Sequence, residues 1–190
     1  MLRKLAAALT LVVAPAALSP ALAQADGPGP NLVIEVAGQA NGRVVIDLLP
    51  DLAPRHVEQI VALAREGAYD NVVFHRVIDG FMAQTGDVQF GRADGDLRRA
   101  GMGGSARPDI PAEFSAEPFV RGTVGMARAQ NPDSANSQFF IMFADGSFLN
   151  GQYTVFGRVV EGMEVVDAIA RGEPPATPDR MVKVTVEGDG

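Results

Sequence analysis

Short apolar runs with a period of two recur along most of this chain, and they limit what it can fold into. In "NLVIEVA" (31–37), Leu32, Ile34 and Val36 share one face; in "GRVVIDLL" (42–49), Val44, Ile46 and Leu48 do the same. Such alternation marks strands with one buried face. The loop "GQANG" between them makes the pair a hairpin. Further runs lie at 72–78, near 81–84, and at 122–128, 138–143, 154–160 and 181–187. Only two stretches change period. "DLAPRHVEQIVALAREG" (51–67) spaces Val57, Ile60, Val61 and Ala64 as one helical face, with Pro54 suited to the first turn and Gly67 to the stop. "MEVVDAIA" (163–170) turns Met163, Val166, Ile169 and Ala170 inward as a second helix. About eight strands, two helices and no βαβ alternation predict a mainly β, closed antiparallel barrel rather than a doubly wound sheet. Residues 86–108, with "GMGGSARP", show no periodicity and are expected as surface loop.

The N-terminus follows a different rule. Arg3 and Lys4 precede an apolar run from Leu5 to about Leu18, and "ALAQ" (21–24) offers small residues around a cut after Ala23. That is the build of a secretory signal peptide (1–23), followed by a linker (24–30) and one domain (31–187). The run is short for a membrane span and holds Pro15. The processed chain is therefore expected to be exported, periplasmic, without stable membrane insertion, and monomeric. Removing residues 1–23 takes away Arg3 and Lys4 and no acid, moving the net charge from −7 to −9. A negative charge without a basic block argues against nucleic acid as a partner. There is no cysteine, which excludes disulfides and thiolate metal sites.

Candidate chemistry centres on "VVFHRVIDGFMAQTGD" (72–87). His56 and His75 are the two histidines of the chain. Neither has a nucleophile motif or carboxylates at ligand spacing, so no metal or cofactor site is expected. His75 therefore reads as a structural or packing histidine, and His56, in the first helical turn, is expected in solvent. Alternation places Phe74, Arg76 and Ile78 on one face. Arg76 keeps its charge and needs partners or water. It is either an edge arginine in a salt bridge or a fixed donor beside an apolar groove.

Three segments, in the order they occur, bear on the second of these readings. "FHRVIDGFMAQTGD", "SQFFI" and "FLNGQYTVFGRVVEGMEVV" resemble the signature segments of the cyclophilin-type peptidyl-prolyl isomerases, over about residues 31–187. The resemblance implies a closed eight-stranded antiparallel β-barrel capped by two α-helices, with a substrate groove on its outer surface. It implies isomerisation of X–Pro bonds in proline-containing polypeptides, without a cofactor. It assigns catalysis to Arg76, Phe81, Gln84 and Phe140, with Gln84 helping to position Arg76. Substrate contacts fall to His75, Met82, Ala127, Arg128, Ala129, Gln138, Phe148, Leu149 and Tyr153. Thr85, Arg128, Phe148 and Tyr153 stand where many members carry Gly, Asn, Trp and His. Two rival readings are a proline-peptide-binding chaperone module with little turnover and an exported barrel holding a small apolar ligand.

Intact mass of the protein recovered from its native host tests the export reading. A chain beginning at Gln24 is expected; a soluble chain still beginning at Met1 would contradict it.

Overall fold

The computed structural model describes residues 27–188. The expected signal peptide, 1–23, and residues 24–26 of the expected linker lie outside the described residues. The hairpin forms as β1 (Asn31–Ala37) and β2 (Gly42–Leu48), followed by α1 (Pro54–Arg65). Five short strands come next: β3 (Val72–Val73), β4 (Arg76–Ile78), β5 (Met82–Thr85), β6 (Thr123–Met126) and β7 (Phe139–Met142). The chain ends with β8 (Val155–Glu161), α2 (Met163–Asp167) and β9 (Arg180–Glu187). All strands join one antiparallel sheet in the order β3-β9-β1-β2-β8-β6-β7-β5-β4.

The sheet has nine strands where the sequence pattern gives eight, because the run 72–78 is split. Val72 and Val73 pair with Met181 and Arg180 of β9. Arg76, Val77 and Ile78 pair instead with Gln84, Ala83 and Met82 of β5. Between them, the Phe74 N–H donates to the Asp179 carbonyl (2.9 Å) and the His75 N–H to the Gln84 carbonyl (3.2 Å). The Thr85 hydroxyl adds a bond to the Val73 carbonyl at 2.9 Å. The two edges of the sheet are thus neighbours in the chain, and the ring closes through Phe74 and His75. The break also rephases the side chains. Phe74 does not share a face with Arg76; it packs into the barrel core, as Val77 does.

The interior is packed with side chains. Leu32, Ile34, Val44, Ile46, Leu48, Val124, Phe139, Ile141, Phe156 and Val184 form one cluster with α1 residues Val57, Ile60, Leu63 and Ala64. Phe139 meets Tyr69 and Phe156 edge-on, at centroid distances of 5.7 and 6.0 Å. Such filling argues against the ligand-carrying barrel. The second helix stops at Asp167 rather than 170, because the Ala170 N–H bonds to the buried Asp179 carboxylate (2.7 Å). The other oxygen of Asp179 takes the Ala40 N–H at 2.9 Å, tying the hairpin loop to the same point.

His56 is not in solvent: its side chain is fully buried, with Nδ1 2.6 Å from Glu113 Oε2. The reason lies at the helix terminus. The cap residue Ala53 has no polar side chain, and Glu113 arrives from a distant loop to accept the N–H groups of Arg55 and His56 (3.3 and 3.2 Å). Burial pulls the His56 pKa below its ordinary value, against the opposing pull of Glu113. The imidazole is therefore neutral at pH 7 and donates Nδ1–H. For Glu113, burial pushes the pKa up, but the bonds from His56 and the helix amides outweigh it and hold it low.

Both shifts have the same consequence. The folded state binds fewer protons than the unfolded one, so stability falls on acidification. The His56 contribution is complete above 6.5, its ordinary pKa, and is lost as pH drops through the lower folded value. The Glu113 contribution follows below 4.5. Urea unfolding between pH 7.5 and 5 is expected to show this decline, with a shallower slope in His56→Gln. Equal slopes in the two proteins would contradict the assignment.

Candidate active site

Alternation along β5 and β7 gives each strand two jobs. Ala83, Phe139 and Ile141 face the barrel core, while Met82, Phe140 and Met142 face outward into a second apolar cluster with Phe119, Leu149 and Val155. Phe140 is the floor of this outer cluster. Its ring stacks on Phe119 at 5.7 Å and meets Tyr153 edge-on at 5.9 Å. Gly125 lies beneath, where any Cβ would come within 2.6 Å of Phe119 and 2.7 Å of Phe140.

Above this floor is an open hollow of about 320 Å³. Met82, Phe140 and Leu149 are buried in its base, and Phe81 and Tyr153 are part of the same cluster. Phe148 stands at the rim, 63% exposed, with its ring 5.5 Å from that of Phe81. Arg76 lines the hollow, as do Gln84, Ala127 and Arg128. The last three also line a second hollow of about 420 Å³, which continues past Ala129 and Gln138 to the loop at Gly101–Ser105. The two hollows form one groove across β5 and β6, and twelve of the thirteen sequence-predicted site residues line it.

The thirteenth, His75, does not. It is 5% exposed and lines a separate depression with Leu97, Ala100 and Pro174. The physical reason is its place beside Arg76 in an extended segment, where neighbours point to opposite sides. Burial lowers its pKa more than nearby Asp87 raises it, so it too is neutral at pH 7. His75 is thus a packing residue beneath Gly101, whose Cβ would meet the ring at 2.9 Å.

Gln84 stands opposite Arg76 in the β4–β5 pairing. Its side-chain amide donates to Gln138 Oε1 (2.9 Å), and Gln138 in turn donates to the carbonyls of Gly101 (3.0 Å) and Gly103 (2.7 Å). This chain fastens the groove to the loop 86–108. Asp87, fully buried, fastens the loop from the other side by accepting the N–H groups of Gln89, Phe90, Gly101 and Gly103 at 2.7–3.1 Å. The partner of Arg76 is Glu173, whose Oε1 lies 2.7 Å from the Arg76 Nε. Sequence reasoning missed it, because Glu173 lies in the Pro-rich stretch "EPPATP" and carries no periodic signal.

Arg128 forms the far wall. Its guanidinium lies over the Tyr153 ring, 4.3 Å from the centroid, and donates to the carbonyls of Ala129 (2.9 Å) and Gln152 (2.8 Å). It therefore bridges the two segments flanking the hollow. Among the described residues, no group of three or more His, Asp or Glu side chains is placed to hold a metal ion.

The chain is similar to known proteins in sequence and in fold. Residues 32–186 match the family described as "Cyclophilin type peptidyl-prolyl cis-trans isomerase/CLD". A probable peptidyl-prolyl cis-trans isomerase of Brucella suis biovar 1 (strain 1330) is 64% identical over 156 residues, covering 78% of this chain and 80% of that protein. Peptidyl-prolyl cis-trans isomerase B of Escherichia coli (strain K12) is 38% identical over 147 residues, covering 68% and 79%. A crystallised cyclophilin from Hirschia baltica superposes with a TM-score of 0.71 at 28% identity, covering 84% of this chain and 74% of that one. A Cryptosporidium parvum cyclophilin-type isomerase, crystallised in the presence of the dipeptide Ala-Pro, shares the fold with a TM-score of 0.72 at 24% identity, covering 84% and 99%. The chain belongs to the cyclophilin-type peptidyl-prolyl cis-trans isomerases. It is an isomerase of X–Pro peptide bonds.

Gly125→Ala tests the floor. The added methyl has to displace the stacked rings of Phe119 and Phe140. Overpacking of this kind costs about 1–3 kcal/mol. Lower stability in urea and a lower isomerisation rate are expected together; a variant unchanged in both would contradict the role given to Phe140.

Proposed function

We propose that this isomerase works on exported polypeptides, with the proline ring seated on Phe140, Met82, Phe81 and Leu149 and Arg76 acting at the proline nitrogen. The export part rests on the N-terminal sequence, Arg3 and Lys4 before an apolar run and "ALAQ". The site part rests on one observation: a guanidinium held at Nε borders an apolar hollow open to a polypeptide. The Ala-Pro dipeptide used with the Cryptosporidium parvum relative supports a proline ligand.

The physical demand is simple. Partial double-bond character opposes rotation with a barrier of about 18–20 kcal/mol. The enzyme makes and breaks no covalent bond; it has to bind the twisted amide better than either planar form. As conjugation is lost, the proline nitrogen regains a lone pair and becomes a hydrogen-bond acceptor. A charged donor already in place meets that lone pair without reorganisation. The apolar floor holds the ring while the preceding carbonyl swings. Gln84 and the backbone at Ala127–Ala129 border the path of the residues before proline, and Gln138 extends it toward Met102. Phe148 and Tyr153 close the rim, and Arg128 fixes their wall.

Arg76→Ala is expected to keep the fold and to lower kcat/KM by ~10²–10³, the loss that follows removal of one transition-state donor. Arg76→Lys should recover little, since it lacks the planar fork. A protease-coupled assay on a short X–Pro peptide reads both. Wild-type rates in Arg76→Ala would move the catalytic role elsewhere.

A further inference from the structure

We propose that Glu173 is a positioning residue for the isomerisation: its carboxylate fixes the plane of the Arg76 guanidinium so that the terminal nitrogens face the groove. The inference rests on the reading of Arg76 given above. An arginine carries five N–H donors in one plane. Glu173 Oε1 engages the donor on Nε, at 2.7 Å. That contact uses one donor and leaves the four donors of the terminal nitrogens, on a side chain that lines the hollow. Without it, a side chain 42% exposed would rotate among several rotamers.

The surrounding backbone is arranged to present this carboxylate. The N–H of Val77 donates to the Gly172 carbonyl (2.8 Å), and the N–H of Gly172 donates back to Val77 (2.9 Å). Residue 172 has a φ of +149°, and a Cβ there would meet Pro175 Cα at 2.5 Å, so glycine is needed for this approach. Arg171 binds Asp79 at 3.0 Å and lies 4.2 Å from the Phe143 ring centroid. These ties hold residues 171–173 against β4 without any help from the Glu173 side chain. The pair itself is exposed, 42% for Arg76 and 53% for Glu173, where ion pairs add little to stability. What the Glu173 carboxylate adds is the orientation of Arg76.

The test is a double-mutant cycle in the X–Pro isomerisation assay, with thermal melts alongside. Glu173→Ala is expected to lower kcat/KM by roughly 3- to 30-fold, within the range of coupling between contacting residues. The loss should fall on kcat with KM little changed, and the melting temperature should stay at the wild-type value. Glu173→Gln keeps an acceptor oxygen and should lose less. In the Arg76→Ala background, Glu173→Ala should cause no further loss. The proposal is overturned if Glu173→Ala turns over at the wild-type rate, or if its loss persists unchanged when Arg76 is absent. A wild-type rate in Arg76→Ala alone would instead overturn the reading of Arg76, and this inference with it.

Discussion

One short segment joins the two edges of the curled sheet and carries Arg76 of the candidate active site. Between Val73 and Arg76 the chain leaves β9 and joins β5, handed over by the Phe74 and His75 amides. An open sheet would leave two edges with unpaired backbone groups. Here the edges are consecutive in sequence, so closure requires no additional ladder. The same handover shifts the side-chain phase by one residue. Phe74 goes to the barrel core, His75 to a buried niche, and Arg76 to the outer surface. A regular strand would have put Phe74 and Arg76 on one face, forcing either a charge inward or a phenyl ring outward.

The groove then follows from the ordinary alternation of β5 and β7. The inward residues Phe139 and Ile141 hold the barrel, and the outward residues Phe140 and Met82 build the hollow. Rigid sheet positions on both faces fix the floor, while loops supply the walls. Those loops are fastened by polar side chains: the buried Asp87 and the half-buried Gln138 hold the 101–103 wall, and Arg128 holds the Tyr153 wall. Apolar surface and charged donor meet at the edge of β4, where Arg76 sits opposite Gln84. That pairing is what a twisted prolyl amide requires, since its ring is apolar and its nitrogen is briefly an acceptor.

Much of this was legible in the sequence because it depends on local period. The strands and α1 are set by periodicities that any short window reveals, and the floor residues came from the resemblance of their segments to the family's signatures. The departures all come from distant partners. Burial of His56 depends on Glu113, 57 residues away, standing in for a missing helix cap. The break at Phe74–His75 depends on the Asp179 carbonyl and on Gln84. The true partner of Arg76 is Glu173, 97 residues on, and no spacing rule links the two. His75 lies where its residue-level reading as a packing histidine puts it and apart from the rim that the resemblance implied, because a residue next to Arg76 in extended chain points to the opposite side.

The central claim is that substrate proline lies on the Phe140 floor next to Arg76. The most direct measurement is an NMR titration of isotope-labelled protein with a short Ala-Pro peptide, reading the Met82 and Leu149 methyls, the Phe140 ring and the Arg76 Nε–H. The account predicts that these signals shift and broaden together as the peptide interconverts between cis and trans, while the His75 and Leu97 signals stay in place. Catalysed exchange with the Phe140 and Arg76 signals unmoved, or with shifts centred on His75 and Leu97, would contradict it.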